Sequence, residues 1–271
     1  MRQIFATILA LTAPLFAIAG ANAAATDWQE IAGGRIRLVV AEPAPDEKDV
    51  RAMLQVDLQP GWKTYWRDPG DAGVPLQLDL SKSTNASLAG VDYPVPHRFE
   101  DGTSVWAGYK EPVAFGMHFE RVDAAKPVVV SGNVFLGVCE KICVPVQFEF
   151  SVDVTDSAVP TMHHELVAMA LKDLPKAATA AFGVSALARD GKAIRVDAKM
   201  PEGTAQAELF LAAPAGYQFS APVLITLMGG TAQFEAKVLF SPDAGGEANV
   251  VAYTLVTDQG AVSGEIAISK R

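Results

Sequence analysis

Apolar residues recur at every second position in short runs along almost the whole sequence, and that rhythm excludes most folds. The runs include Ile36-Leu38-Val40, Ala52-Leu54-Val56-Leu58, Leu76-Leu78-Leu80, Val113-Phe115-Met117-Phe119 and Val146-Phe148-Phe150-Val152, with Val128 to Val130 as a short continuous one. Successive side chains of a strand point to opposite faces, so this pattern predicts half-buried strands. Turn clusters rich in Pro, Gly and Asp separate the runs, among them Asp68-Pro69-Gly70-Asp71 and Glu100-Asp101-Gly102. Many short strands with such turns predict an all-β fold of sandwich type.

The rhythm changes once. After Pro160, Leu166, Val167, Met169, Ala170, Leu171 and Leu174 fall at helical spacing, and Pro175 stops the pattern, so a helix is predicted over 161–174. An Ala-rich connector follows, then a second strand series: Ala193-Arg195-Asp197, Ala207-Leu209-Leu211, Val223 to Leu227, Ala232-Phe234-Ala236-Val238, Val250 to Val256 and Val262-Ile266-Ile268. The expected architecture is two immunoglobulin-like β-sandwich domains, 24–157 and 189–271, joined by a helix-containing linker at 158–188.

Residues 1–23 read as an export signal. A basic start at Arg2 leads into an apolar run from Ile4 to Ala19, broken by Pro14, and then into Ala21-Asn22-Ala23, the small-x-small pattern that signal peptidase cleaves. Cleavage after Ala23 would leave 248 residues with a formal charge of −10. An acidic chain of that size is not built to bind nucleic acid. No later run is apolar for long enough to span a bilayer, so the mature protein is expected in the periplasm.

Two cysteines in so long an exported chain are not a disulfide framework, since a chain of this length buries a core without staples. They stand in Gly137-Val138-Cys139-Glu140-Lys141-Ile142-Cys143-Val144-Pro145. Along one extended strand, positions four apart lie roughly 13 Å from each other, whereas a disulfide needs Cα atoms within about 7 Å. A tight hairpin looping through Glu140, Lys141 and Ile142 puts the two cysteines opposite each other. The usual three-residue loop asks its third residue for a left-handed conformation, which β-branched Ile142 resists; the loop is therefore expected to be irregular or strained. Three chemistries fit the pair: a structural staple, thiol–disulfide exchange, or Cu(I) held by Cys139 and Cys143 as soft ligands.

Further landmarks bear on that choice: Gly61-Trp62-Lys63-Thr64-Tyr65-Trp66-Arg67-Asp68-Pro69-Gly70-Asp71, Tyr93-Pro94-Val95-Pro96-His97-Arg98-Phe99 and Gly108-Tyr109-Lys110. With Cys139 to Pro145 they resemble the N-terminal periplasmic domain of the DsbD family of thiol reductases, in particular its ScsB-type form, over residues 34 to 155. The resemblance implies an immunoglobulin-like domain that passes reducing equivalents through Cys139 and Cys143, with no cofactor. It places a cap loop at Phe99 to Trp106, with Glu100 and Asp101 at its acidic positions and Tyr109 counted alongside. An acid near a thiol disfavours the thiolate, so such a cap would hold the dithiol less reactive until a partner displaces it. The family's membrane conduit and thioredoxin-like domain have no counterpart in this sequence. A separate membrane thiol reductase is therefore the expected electron donor, with thioredoxin-like periplasmic proteins as acceptors. The alternative is a Cu(I)-binding or partner-docking module with a permanently closed disulfide.

Other candidates carry less. Adjacent His163 and His164 point about 100° apart on a helix and cannot readily share an ion, so the pair, with Glu165, is expected to be exposed. His118 lies in a strand beside Met117. Trp62, Tyr65 and Trp66 are expected to serve packing. No Ser-His-Asp set, phosphate loop or paired-carboxylate site stands out.

Overall fold

The computed structural model describes residues 25–41, 48–102, 104–154, 161–241 and 250–270, and the expected signal segment with its Ala23 boundary lies outside them. The described residues are all-β apart from one helix.

In the part that holds the cysteines, one antiparallel sheet runs in the order Gln29–Ile31, Gly34–Val40, Asp49–Leu58, Val113–Arg121, Ala86–Asp92. Facing it are two smaller sheets. One is Cys143–Asp153, Val129–Cys139, Gln77–Asp79; the other is Thr64–Gly70, Val105–Tyr109, His97–Glu100. Ile36, Leu54 and Phe115 from the first sheet meet Val134, Leu136 and Phe148 from the second and Trp66 and Tyr109 from the third in one continuous core. Each such side chain, taken out of water, contributes roughly 1.5–3 kcal/mol.

The predicted helix forms over Thr161–Lys172 and covers the outer face of the five-stranded sheet, where Val167 packs on Val39 and Met53. His163 lies on that covered face and is only 9% exposed, which corrects the expectation of an exposed histidine pair. The helix needs a face to bury, and residues 163 and 167, four apart, share it. His164 points away and is half-buried.

Beyond the helix, two sheets enclose a second core. One is Lys176–Ala177, Gly260–Ala267, Val250–Thr257, Ala207–Ala212. The other is Gln218–Phe219, Thr231–Phe240, Ala193–Lys199, Gly183–Asp190, Ser269–Lys270, with Val223–Met228 also paired to Thr231–Phe240. Leu187, Ile194, Val196 and Phe234 on the latter meet Leu209, Val251 and Leu255 on the former. The strand Gly183–Asp190 occupies sequence expected to be connector. A bulge between Val184 and Ala186 shifts its register against Ala193–Lys199, and such an extra residue destroys the period-two signal by which strands are read.

Phe210 belongs to Ala207–Ala212 yet joins the first core, with its ring edge-on to Trp66 at 5.8 Å. Around it, Arg98 pairs with Glu208 and donates to the Leu209 carbonyl, both at 2.8 Å, and Asp68 accepts from the Ala213 amide.

Candidate active site

The strands Val129–Cys139 and Cys143–Asp153 form a continuous antiparallel hairpin in which Cys139 is directly opposite Cys143. The two are joined as a disulfide with Cα atoms 4.1 Å apart, close to the ~4.5 Å of a directly opposed, non-hydrogen-bonded pair. No residue of the Glu140-Lys141-Ile142 loop takes a positive φ; Asn85 is the one non-glycine residue that does among those described. Ile142 thus avoids the left-handed conformation, and the loop is of an irregular kind. Its side chain is 79% exposed.

The two sulfurs sit in different surroundings. Cys139 is 1% exposed, whereas Cys143 is exposed. The far edge of Cys139 pairs with Lys63 through two backbone hydrogen bonds of 2.9 Å, and the Thr64 hydroxyl donates to the Gly137 carbonyl. That pairing carries the next residue, Tyr65, to the disulfide: its hydroxyl donates to Cys139 Sγ at 2.8 Å and lies 3.3 Å from Cys143 Sγ. Two glycines make room for it. A Cβ on Gly108 would fall 2.2 Å from the Thr64 carbonyl oxygen, and one on Gly73, at φ +128°, would fall 2.4 Å from the Tyr65 ring. Burial, then the charge of Asp101, raises the Tyr65 pKa, so the phenol remains a protonated donor.

A stack of rings packs on Tyr65 and the buried Cys139. Trp106 meets Tyr65 edge-on at 5.6 Å, and Phe99 stacks on Trp106 at 4.4 Å. Both are placed by the hairpin of His97–Glu100 with Val105–Tyr109, in which Phe99 opposes Trp106. Two lysines ride on these rings, Lys63 Nζ at 4.4 Å from the Trp106 centroid and Lys110 Nζ at 4.1 Å from that of Phe99, within the range of cation–π attraction. Lys63 also pairs with Asp101 at 2.8 Å. That hydrogen bond is the main reason the Asp101 carboxyl is held below its usual range, with Lys110 adding to it.

Of the residues singled out in the sequence, Phe99, Trp106, Cys139 and Cys143 are brought together, with Asp101 clasped at the rim. Glu100 is exposed. Tyr109 turns to the opposite face of its strand, donates to the Pro94 carbonyl and packs on Phe115 in the main core. Tyr65 and Lys63 are the residues that sequence reasoning did not assign to the sulfurs. The only signal was their place in the Gly61-to-Asp71 landmark. Among the described residues no cluster of three His, Cys, Asp or Glu side chains is arranged to hold a metal ion, and no helix is long and apolar enough to cross a membrane.

Comparison with known proteins agrees with this geometry. No curated protein matches the chain in sequence. The chain is similar in structure to the N-terminal periplasmic domain of ScsB from Proteus mirabilis, at 22% identity and a TM-score of 0.72, covering 92% of this chain and 99% of that one. An endo-fucoidan hydrolase of glycoside hydrolase family 107 aligns with a TM-score of 0.19 at 14% identity, over 86% of this chain and 37% of that one, and has no bearing on the fold. The ScsB likeness spans both cores, so the strands beyond the helix are part of one shared architecture. Residues 36–154 match the family model described as thiol:disulfide interchange protein DsbD, N-terminal, and this segment, with Cys139, Cys143 and the rings around them, belongs to that family of thiol–disulfide interchange domains.

Proposed function

We propose that the chain is a periplasmic carrier of reducing equivalents whose Cys139–Cys143 disulfide is reduced by one dithiol partner and reoxidised by another. The asymmetry of the sulfurs carries this reading: Cys143 is exposed, while Cys139 is buried with the Tyr65 hydroxyl on its Sγ. An incoming thiolate attacks Cys143 Sγ, the partner–Cys143 disulfide forms, and the Cys139–Cys143 bond breaks. Cys139 leaves as a thiolate, stabilised by the Tyr65 hydrogen bond until it takes a proton. The partner's second thiol then attacks its own sulfur in the mixed disulfide and releases Cys143 as a thiolate. The partner is oxidised by two electrons and the cysteine pair is reduced; delivery to an acceptor disulfide runs the same steps in reverse, starting from Cys143.

Phe99 and Trp106 act as the cap in this scheme, and the Lys63–Asp101 pair is its latch. Asp101 works through Lys63 rather than as a free acid beside the thiols, and Glu100 serves the turn. Tyr109 anchors the cap strand to the core. A separate membrane thiol reductase is the donor and thioredoxin-like proteins are the acceptors, with the chain exported by cleavage after Ala23. The two cores support reading two sandwich domains, 24–157 and a second one that starts ahead of the expected 189, since Lys176–Ala177 and Gly183–Asp190 already pair in its sheets, so that of the expected 158–188 linker the helix is what lies between them.

The test is covalent trapping. Cys139→Ser leaves Cys143 as a lone nucleophile and should accumulate mixed disulfides with periplasmic partners, whereas Cys143→Ser should accumulate few. Absence of adducts with both folded variants would return the pair to a staple or a Cu(I) site.

A further inference from the structure

Away from the sulfurs, a cavity of about 380 Å3 opens where the five-stranded sheet, the end of the helix and the second core meet. Its volume lies in the range of small-molecule sites. Arg51, Asp92 and His118 line it from the sheet, and Arg67 and Tyr93 from the segments beside it. Two of its basic groups are already matched, since Asp49 takes Arg51 at 2.9 Å and Asp92 takes His118 at 2.5 Å.

Arg67 is different. No carboxylate pairs with it among the described residues, and its Nε is buried without an acceptor. Its guanidinium lies 4.6 Å from the centroid of the Tyr93 ring, an arrangement that holds the planar fork but supplies no hydrogen-bond acceptor. The Nε is sealed from solvent, so a ligand would meet the terminal nitrogens, and a carboxylate that accepts two parallel hydrogen bonds from them is the group that best fits a guanidinium. The rest of the wall is apolar where Leu171, Leu174 and Pro175 come off the helix, and Ser263 lines it from the second core.

From this combination we infer a binding site for a small organic carboxylate, its acid group on Arg67 and its hydrocarbon body against Leu171 and Leu174. Because the walls come from both cores, the bound ligand would tie them together and stabilise the whole chain by mass action. The site is independent of the thiol chemistry.

Butyrate is the probe, with butanol and sodium chloride at the same concentrations as controls, read by thermal unfolding and by titration calorimetry on the full mature chain. Butyrate should raise the unfolding temperature of the wild type in a saturable way while the controls do not. Arg67→Met should weaken butyrate binding by about tenfold or more, the scale of losing a charge-assisted hydrogen bond. Ser263→Asp, which adds a competing carboxylate to the cavity and leaves the Trp66 and Tyr93 packing untouched, should weaken it likewise and covers the case in which Arg67→Met does not fold. A wild type that responds equally to butanol or to salt, or does not respond, overturns the inference. So does a folded Ser263→Asp or Arg67→Met variant that binds butyrate as the wild type does.

Discussion

The Tyr65 hydroxyl donates a hydrogen bond to the buried sulfur of Cys139 at 2.8 Å, across 74 positions of sequence. In the proposed mechanism this makes Cys139 the sulfur that leaves when Cys143 is attacked. Tyr65→Phe keeps the ring against Trp106 and removes only the donor. A hydrogen bond to a charged group is worth about 1.5–3 kcal/mol, so reduction of the disulfide by a small dithiol should slow by about 10- to 100-fold with the far-ultraviolet spectrum unchanged. A rate within a factor of two or so of wild type would remove Tyr65 from the mechanism.

Asp101 clasps Lys63, whose ammonium lies over the Trp106 ring of the proposed cap. Asp101→Asn weakens that clasp, and since exposed ion pairs contribute little, the gain in the rate at which a small thiol reaches Cys143 should be about two- to fivefold. Stopped-flow reduction followed by Trp fluorescence reads it directly. Slower reduction in the variant would mean that the pair assists the chemistry instead of gating it.

His163 makes stability depend on pH on the acid side. Burial, then Arg37 and His164, lowers its pKa in the folded chain, while the unfolded chain protonates near the ordinary value of about 6.5. The unfolded state therefore binds the extra proton as pH falls through that value, and stability is lost toward acid and regained toward neutral. His163→Gln should flatten this part of the profile, seen as a smaller drop in urea midpoint between about pH 7 and pH 5. An unchanged slope would assign the acid sensitivity elsewhere.

Phe210 couples the two cores. It is 1% exposed, and besides Trp66 its ring carries the Arg98 guanidinium at 4.6 Å. Phe210→Ala should cost about 3–5 kcal/mol and separate one unfolding transition into two by calorimetry. Glu208→Ala removes only the partly exposed Arg98 ion pair and should cost under about 1 kcal/mol. Equal losses in the two variants would show that the ion pair, and not the ring, joins the cores.

Much of the fold is written in alternation. In Cys143–Asp153, Val146, Phe148, Phe150 and Val152 are buried and the residues between them exposed, because one face of that strand meets a core and the other meets water. Where both faces are covered the signal fades. Thr64, Tyr65 and Trp66 are buried in succession, one side toward the sulfurs and the other toward the main core. Their roles could not be divided by period, and Tyr65 read simply as packing.

The sequence by itself determined that the chain is built of strands, that Cys139 and Cys143 must meet across a tight hairpin, and that a helix follows Pro160; these depend on spacings within one or two elements. Tertiary structure alone decided which cysteine is buried, which hydroxyl reaches it, that His163 lies under the helix, and that Asp101 is bound to Lys63. Each of those depends on segments far apart in sequence being laid side by side by sheet pairing, and the backbone bonds between Lys63 and Cys139 that put Tyr65 on the disulfide leave no periodic trace in either segment.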